Sequence, residues 1–209
     1  MKKNIKSFTF FDYLLNGLYF LLYWPFKYFP SPVGDYLRYL TTIFFIKSGS
    51  YVRLYEGVTI WYPYRVTIGK KVTINEWVYI SGFGGVSIGN GCSIGHRVSI
   101  ISSNHGLSKT KSIKSQPLSA DEVKIGNDVW IGNNAVILTG LKISDGCIIG
   151  ANSVINTDLP PYSIVQGVPG KIIRFRFKKN IIAKLLKLKW WEKSDEEINK
   201  INFKKYVDN

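Results

Sequence analysis

Cysteine and histidine are both scarce in this 209-residue chain, which carries two of each. Cys92 and Cys147 fall at equivalent places in a repeated pattern that favours small buried side chains, so we expect free thiols and neither a disulfide nor a metal site. His96 and His105 cannot supply the three histidine ligands of a catalytic zinc site, even if subunits share them. The sequence therefore predicts an activity that uses no metal.

Long uninterrupted apolar runs are also absent. Residues 8–29 are apolar and aromatic, but Asp12, Asn16 and Pro25 interrupt them, and the cleanest run is residues 18–24. That run is far shorter than the roughly 20 residues that a membrane-spanning helix needs. Aromatic residues flanked by lysines are typical of a segment that lies on a bilayer surface. Helices that cap the rest of the chain and pack on a neighbouring subunit are the alternative.

Acidic residues are few, and the net charge of +14 is uneven. Residues 1–50 carry six Lys or Arg against two acids, residues 51–170 ten against seven, and residues 171–209 twelve against five. This excess at both ends favours an anionic partner, such as a membrane surface or a phosphorylated cofactor. Nucleic acid ranks last because no nucleic-acid-binding motif accompanies the charge. With no cleavable signal sequence visible, the expected location is the cytoplasm, with a peripheral position at the inner face of the cytoplasmic membrane as the further option.

Residues 123–156 have a strict period of six. Glycine usually follows the first residue of each hexad, and polar turn-forming residues fill the middle. This period fits neither an amphipathic helix nor an alternating strand, but it is typical of a parallel β-helix in which three hexads make one coil. The repeated isoleucines are then expected to stack into an inward ladder: Ile125, Ile131, Ile137, Ile143, Ile149 and Ile155.

The period is broken at two places. The run Ser-Gly-Phe-Gly-Gly at residues 81–85 disturbs weaker repeats that begin at Tyr51, and the pattern stops completely between residues 102 and 122. We therefore expect residues 102–122 to form an excursion loop that leaves the β-helix. Loops of this length between regular elements are usually functional.

The sequence therefore predicts a mainly β protein with three segments. A β-helix occupies residues 51–175, and an aromatic-rich helical segment precedes it at residues 1–50. A basic helical cap follows at residues 176–209; it is expected to break near Lys193-Ser194 and to fold Trp190-Trp191 onto the body. A solenoid needs both ends covered, so each terminal segment is expected to act as a cap.

Four motifs make the chain resemble the hexapeptide-repeat acyltransferases. The resemblance is strongest to bacterial O-acetyltransferases that modify surface polysaccharides such as O-antigen or capsule, it covers roughly residues 55–175, and it implies a left-handed β-helix. The Lys-Trp-Trp run at residues 189–191 also resembles xenobiotic acetyltransferases, which include chloramphenicol-modifying enzymes. The four motifs are Asn104-His105-Gly106, Ile125-Gly-Asn-Asp-Val-Trp-Ile-Gly132, Ile149-Gly-Ala-Asn-Ser-Val154 and Gly167-Val-Pro-Gly-Lys171.

The resemblance implies a homotrimer with acetyl-CoA in the groove between adjacent β-helices and His105 as general base. It implies acceptor contacts from Asn75, Asn104 and Trp130. It implies cofactor contacts from Trp130, Gly132, Gly150, Ala151, Ser153, Lys171 and Arg174. Two alternatives stay open: Trp130 as an aromatic residue buried between subunits, and Lys171 with Arg174 as a solvated basic tail. Gly170 stands where the family usually has alanine, and this departure is expected to loosen the cofactor clamp.

His105 also fits the chemistry independently of any resemblance. A hydroxyl acceptor with a high pKa must lose its proton as it attacks a thioester, and neutral imidazole is the usual acceptor near pH 7. His105 begins the excursion loop among polar residues, whereas His96 lies at a turn inside a repeat. No carboxylate is near His105 in sequence, so the sequence names no partner for it.

The expected function is therefore transfer of an acetyl group from acetyl-CoA to a sugar hydroxyl of a bacterial surface polysaccharide or its lipid-linked precursor. Direct transfer is expected, because no Cys or Ser is flanked by a base in a way that suggests an acyl-enzyme. The alternative is an N- or O-acetyltransferase acting on a small molecule, either an amino-sugar nucleotide or an antibiotic.

Overall fold

The structure is a computed structural model that describes residues 5, 6, 8–201 and 203. Its helices lie at the two ends of the chain, as predicted, and short strands fill the middle. The helices are α1 (Phe10–Tyr23), α2 (Val33–Ile43), α3 (Lys179–Leu188) and α4 (Asp195–Asn199). None of the helices in these residues is long and apolar enough to cross a membrane.

The strands stack into three faces of one parallel β-helix. The first face contains β2 (Lys47–Ser48), β5 (Val66–Ile68), β8 (Val86–Ile88), β13 (Val123–Ile125) and β16 (Lys142–Ile143). The second contains β3 (Arg53–Leu54), β6 (Thr73–Ile74), β9 (Ser93–Ile94), β14 (Trp130–Ile131), β17 (Ile148–Ile149) and β19 (Ser163–Gln166), followed by antiparallel β20 (Lys171–Phe175). The third contains β4 (Thr59–Trp61), β7 (Tyr79–Ser81), β10 (Ser99–Ile101), β15 (Val136–Ile137) and β18 (Val154–Ile155).

A small antiparallel sheet lies outside these faces. It is formed by β1 (Ile5–Lys6), β12 (Leu118–Ala120) and β11 (Ser103–Asn104), in that order. The excursion between the third and first faces is thus a strand pair, and the start of the chain adds a strand to it.

The isoleucine ladder is confirmed. On the third face the pairing register places five isoleucines in one row, and all five are buried: Ile60, Ile80, Ile100, Ile137 and Ile155. Side chains alternate along each strand, so the neighbours of these residues point outward. Each coil covers the apolar row of the next, which is why the repeat must be stacked to be stable.

The corners are held by polar side chains that reach one coil along. Asn90 Oδ1 accepts from Lys70 N at 2.8 Å, Asn127 Oδ1 from Asn90 N at 2.8 Å, and Asp145 Oδ1 from Asn127 N at 2.7 Å. Cys92 and Cys147 are buried free thiols at this same corner, as predicted. Corner asparagines and glycines thus serve the backbone hydrogen bonding of the solenoid.

The N-terminal helices cover the first coil. Tyr23 Oη donates to Val58 O at 3.0 Å, and the fully buried Arg38 donates to Leu54 O at 2.7 Å. The first coil starts at Lys47, a few residues before the predicted Tyr51, because β2 already pairs with β5.

The C-terminal segment also returns to the body. Trp191 is buried with Tyr162, which confirms the expected fold-back of the tryptophan pair. The helix is broken between Leu188 and Asp195, which includes the predicted Lys193-Ser194; the break begins at Lys189, which adopts a left-handed conformation with φ of 46°. Most of the predicted helix after residue 201 lies outside the described residues.

Candidate active site

The excursion is anchored at its base by Ser102. Its side chain is fully buried, and its Oγ donates to Ser81 O at 2.5 Å and accepts from Gly84 N at 2.8 Å. A Cβ at Gly84 would lie 2.2 Å from Ser102 O. The glycine-rich break of the preceding coil therefore makes room for the point where the excursion leaves the β-helix.

His105 follows β11 and is exposed at the mouth of the excursion. Gly106 comes next and lies against Gln116, whose Oε1 would be 2.5 Å from a Cβ there. Gln116 is buried, accepts from Ser108 N at 2.7 Å and donates to Lys111 O at 2.9 Å, so it holds the two arms of the loop together. Gln116 was not predicted from the sequence, because a glutamine in a loop belongs to no periodic pattern.

A groove of about 280 Å³ lies beside His105. Its lining is Gly106, Leu107, Ser108, Lys111, Gln116, Pro117 and Ser119. Asn104 is exposed on the other side of His105, and its carbonyl oxygen accepts from Ser119 Oγ at 3.4 Å. Across the described residues, no side chain is hydrogen-bonded to the imidazole of His105.

Trp130 lies in the outward row of the second face. It is 55 % exposed, and the register places Ile148, Ile164 and Arg174 beside it on successive strands. With strands about 4.8 Å apart, this row runs about 14 Å from the aromatic ring to the guanidinium-bearing residue. An apolar track that ends at a cation suits a flexible ligand with an anionic end.

The small residues assigned to the cofactor lie at the corner between the second and third faces. Gly132 N and Gly150 N donate to Ile149 O and Val165 O, each at 2.8 Å, so both N–H groups serve the solenoid. Ala151 is exposed at the same corner. Ser153 is fully buried and its Oγ accepts from Gly167 N at 3.1 Å, so this hydroxyl supports the turn that precedes Lys171.

Lys171 and Arg174 are both exposed on β20. The turn before them is closely packed, because Gly170 N donates to Val154 O at 2.8 Å and a Cβ at Gly170 would lie 2.6 Å from Ile155 Cδ1. Ile155 therefore fills the space beside Gly170, and the turn that carries Lys171 is held on the body of the β-helix.

Asn75 also has a structural partner. Its Nδ2 donates to Ile94 O at 2.8 Å, which ties one coil to the next at the corner between the second and third faces. His105 leaves from the corner between the third and first faces, so the two residues are not brought together within one chain.

The other histidine has the carboxylate that His105 lacks. His96 Nδ1 lies 2.6 Å from Glu76 Oε2, and both side chains are partly exposed at one corner of the β-helix. The pair was not predicted, although a signal existed: 20 residues separate them, which is one complete coil. Trp77, Arg97, Asn133 and Asn134 line the groove of about 430 Å³ beside them.

Burial removes both cysteines from consideration as nucleophiles. Desolvation raises the pKa of Cys92 to about 12, and desolvation likewise raises the pKa of Cys147 above its ordinary value. Because the thiolate is the nucleophilic form of cysteine, neither side chain is prepared to carry an acyl group.

His105 and Trp130 lie on opposite sides of the chain. The excursion leaves at the corner between the third and first faces, and this corner lies across the core from the second face, which carries Trp130. These features define a β-helix of hexapeptide repeats with one histidine-bearing excursion and an aromatic-to-basic row on the far face.

Comparisons with known proteins agree with this class. Residues 122–157 match the family model described as bacterial transferase hexapeptide (six repeats). The chain is 49 % identical over 89 residues to a probable macrolide acetyltransferase of Lysinibacillus sphaericus, covering 43 % of this chain and 49 % of that protein. It is 37 % identical over 106 residues to a putative lipopolysaccharide biosynthesis O-acetyl transferase of Escherichia coli K12, covering 47 % of this chain and 50 % of that protein.

The fold is that of solved acetyltransferases. A galactoside acetyltransferase in complex with coenzyme A superposes with a TM-score of 0.74 at 24 % identity, covering 83 % of this chain and 90 % of that chain. The predicted β-helical fold with helical ends is thereby confirmed. The matched region is about half the length of the two relatives matched by sequence.

Proposed function

We propose that the protein is an acetyl-CoA-dependent O-acetyltransferase that modifies a sugar hydroxyl of a bacterial surface polysaccharide or its lipid-linked precursor. The observation that carries the proposal is the exposed His105 at the mouth of an excursion from a hexapeptide-repeat β-helix. The lipopolysaccharide-related acetyltransferase of Escherichia coli supports the acceptor class, since it matches the longest stretch of the relatives compared above.

Acetyl-CoA would supply the acetyl group as a thioester. The row from Trp130 through Ile148 and Ile164 to Arg174 fits its apolar arm and its phosphates, with Lys171 as a second cation. Arg and Lys are the natural partners of such phosphate groups.

The chemistry left to the protein is proton transfer. His105 takes the proton from the acceptor hydroxyl as its oxygen attacks, and then gives that proton to the departing thiol sulfur. A positioned general base of this kind contributes roughly 10²–10⁴ in rate. Direct transfer needs no protein nucleophile, which agrees with the buried, protonated thiols of Cys92 and Cys147.

A complete site needs a second copy of the chain. Because His105 and Trp130 lie on opposite sides of the core, the excursion of one copy must reach the second face of the next. Each copy then contributes its His105 excursion to one neighbour and its second face to the other. Such head-to-tail contacts form a closed ring when the rotation between neighbouring copies closes on itself. We take that ring to be a trimer, in line with the resemblance described above.

A second function has its own support. The identity of 49 % with a probable macrolide acetyltransferase favours a small antibiotic acceptor, and the Lys-Trp-Trp run at residues 189–191 points the same way. An amino-sugar nucleotide is a third acceptor of the same small-molecule kind.

The acceptor is tested by release of free thiol from acetyl-CoA with three kinds of acceptor. These are the de-O-acetylated surface polysaccharide of the host, amino-sugar nucleotides, and the antibiotics chloramphenicol and a macrolide. Turnover that depends on the polysaccharide is the expected result. Turnover only with a nucleotide or an antibiotic would replace the first function with the second.

A further inference from the structure

Helix α1 has its polar side inward. Asp12 and Asn16 are buried, and Asn16 Oδ1 accepts from Tyr62 N at 2.8 Å. Asp12 accepts from Arg65 Nη2 at 2.6 Å and from the hydroxyl of Tyr64. These bonds fix the rotation of the helix about its axis, so its outward face is set by the structure and not by loose packing.

Helix α2 is arranged in the same way. Its polar residues Arg38 and Thr42 are buried. Arg38 donates to Phe26 O at 2.9 Å and to Phe29 O at 2.7 Å. Asp35 pairs with Arg38 at 2.7 Å and is therefore also occupied.

The outward side of this cap is apolar and aromatic. Gly17 has open space around it, which places it in the middle of that side. Monomeric soluble proteins rarely expose a continuous apolar patch of more than a few hundred Å². The exposed residues are Phe10, Phe11, Tyr13, Leu14, Leu18, Leu21, Leu22, Trp24, Tyr28, Phe29, Val33, Tyr36, Ile43 and Phe44.

The segment that forms this cap carries more positive than negative charge. Residues 1–56 contain three acids, and each is engaged: Asp12 with Arg65, Asp35 with Arg38, and Glu56 Oε1 with Ser31 N at 3.0 Å. Lys47, just after α2, and Arg53, in the groove beside Tyr36, are exposed cations. Anionic surfaces are therefore attracted and cationic ones repelled.

From this arrangement we propose that the α1–α2 cap docks on a lipid bilayer that contains anionic headgroups. Its leucines and phenylalanines enter the boundary between headgroups and acyl chains, and its Tyr and Trp rings lie at the headgroup level. Lys47 and Arg53 contact anionic phosphates. A second copy of the same surface fits worse, because two copies of this positively charged segment would repel each other.

The cap and the proposed ring of three chains support each other. A rotation axis brings the equivalent ends of all copies to the same height, so three caps would face one bilayer at once. Several weak anchors then bind far more tightly than one, since each later contact is intramolecular. An enzyme held this way would meet lipid-linked acceptors at the surface where they lie.

The test is co-sedimentation of the full chain with vesicles, of phosphatidylcholine alone or mixed with phosphatidylglycerol. The native protein is expected to pellet with the mixed vesicles and to bind phosphatidylcholine more weakly. The double variant Leu14→Glu, Leu21→Glu should lose about tenfold or more in vesicle binding, because each leucine leaves apolar surroundings. Lys47→Gln and Arg53→Gln should each lower binding to the anionic vesicles about fivefold.

Ile113→Glu is the matched control, because Ile113 is exposed to almost the same extent as Leu14 (53 % against 54 %) but lies in the excursion. Equal vesicle binding by the native and double-variant proteins would overturn the proposal, as would a native protein that stays in the supernatant with both vesicles. If the double variant differs from the native protein in particle mass in the absence of lipid, the apolar side of the α1–α2 cap contacts another copy of the chain, and the proposal is overturned. Thiol release with a soluble acceptor, measured in parallel, shows separately whether the acetyltransferase proposal holds.

Discussion

Ser102 is one residue on which the position of His105 depends. Its hydroxyl bonds to Ser81 O and Gly84 N in the preceding coil, and Thr139 Oγ donates to the carbonyl of Asp121 at 3.2 Å where the excursion returns. The loop that carries the proposed base therefore starts and ends on rigid coils. Catalytic groups need this kind of support, because a displacement of about 1 Å can cost about a hundredfold in rate.

Ser102→Ala is expected to lower the free energy of unfolding by about 1–3 kcal/mol, because it removes the hydroxyl that bonds the half-buried Gly84 N–H and the buried carbonyl of Ser81. It should also lower kcat, since the base of the excursion shifts. Urea unfolding and steady-state kinetics measure the two effects. Ser87→Ala is the control, because Ser87 is only half-buried on the outer side of a strand. Equal stability of the two variants would contradict this account of the loop.

Gln116 and the Glu76–His96 pair show which contacts could be predicted from the sequence and which could not. Gln116 acts through backbone groups of its own loop, and such contacts follow no repeat. Glu76 and His96 are 20 residues apart, which is one coil only where the break at residues 81–85 lengthens the 18 residues of three hexads. Their contact therefore follows from the repeat once that break is counted. The exposed His105 was predicted from loop position and chemistry, whereas its neighbours depend on the folding of the loop.

Among the secondary-structure elements, the period of six was sufficient to predict the β-helix but not the orientation of its helical caps. Inward isoleucines recur at every turn, so each hexad repeats the same information. In α1 the polar residues interrupt an apolar stretch, and the sequence alone does not show that they face inward. Their partners, Tyr62, Tyr64 and Arg65, are about fifty residues away, and a periodicity within one helix contains nothing about them.

Asp12 makes the packing of helix α1 against the β-helix depend on pH. Burial alone would raise the pKa of Asp12, but hydrogen bonds from Tyr64 and Thr9 and the charge of Arg65 outweigh it and lower that pKa. A carboxylate with a lowered pKa contributes stability above its ordinary pKa of about 4, and the contribution disappears as the pH falls through the lowered value.

Asp12→Asn is therefore expected to cost about 1–3 kcal/mol at neutral pH. The difference in free energy of unfolding between native and variant should narrow as the pH falls below about 5. Denaturant unfolding at a series of pH values measures it, with Glu122→Gln as the control for an exposed carboxylate. A difference that stays constant down to low pH would show that Asp12 does not anchor α1 through its charge.

In the assembled protein, each proposed active site is shared between two chains. His105→Ala and Trp130→Ala chains should each be impaired as pure proteins. If each site takes His105 from one copy and Trp130 from the next, random mixing of the two variants restores about a quarter of the sites. Co-refolding of equal amounts, followed by activity and particle mass, makes the measurement. A mixture no more active than its components would place both residues in the same chain's site or outside it.

The most direct test compares His105→Ala with His96→Ala in acetyl-CoA turnover with the preferred acceptor. Losing the general base should lower kcat by roughly 10²–10⁴, so His105→Ala should show that loss and His96→Ala should stay near the native rate. Unchanged circular dichroism of both variants confirms that the β-helix is intact. A large loss in His96→Ala, with His105→Ala near native, would move the active site to the Glu76–His96 corner and contradict the central claim.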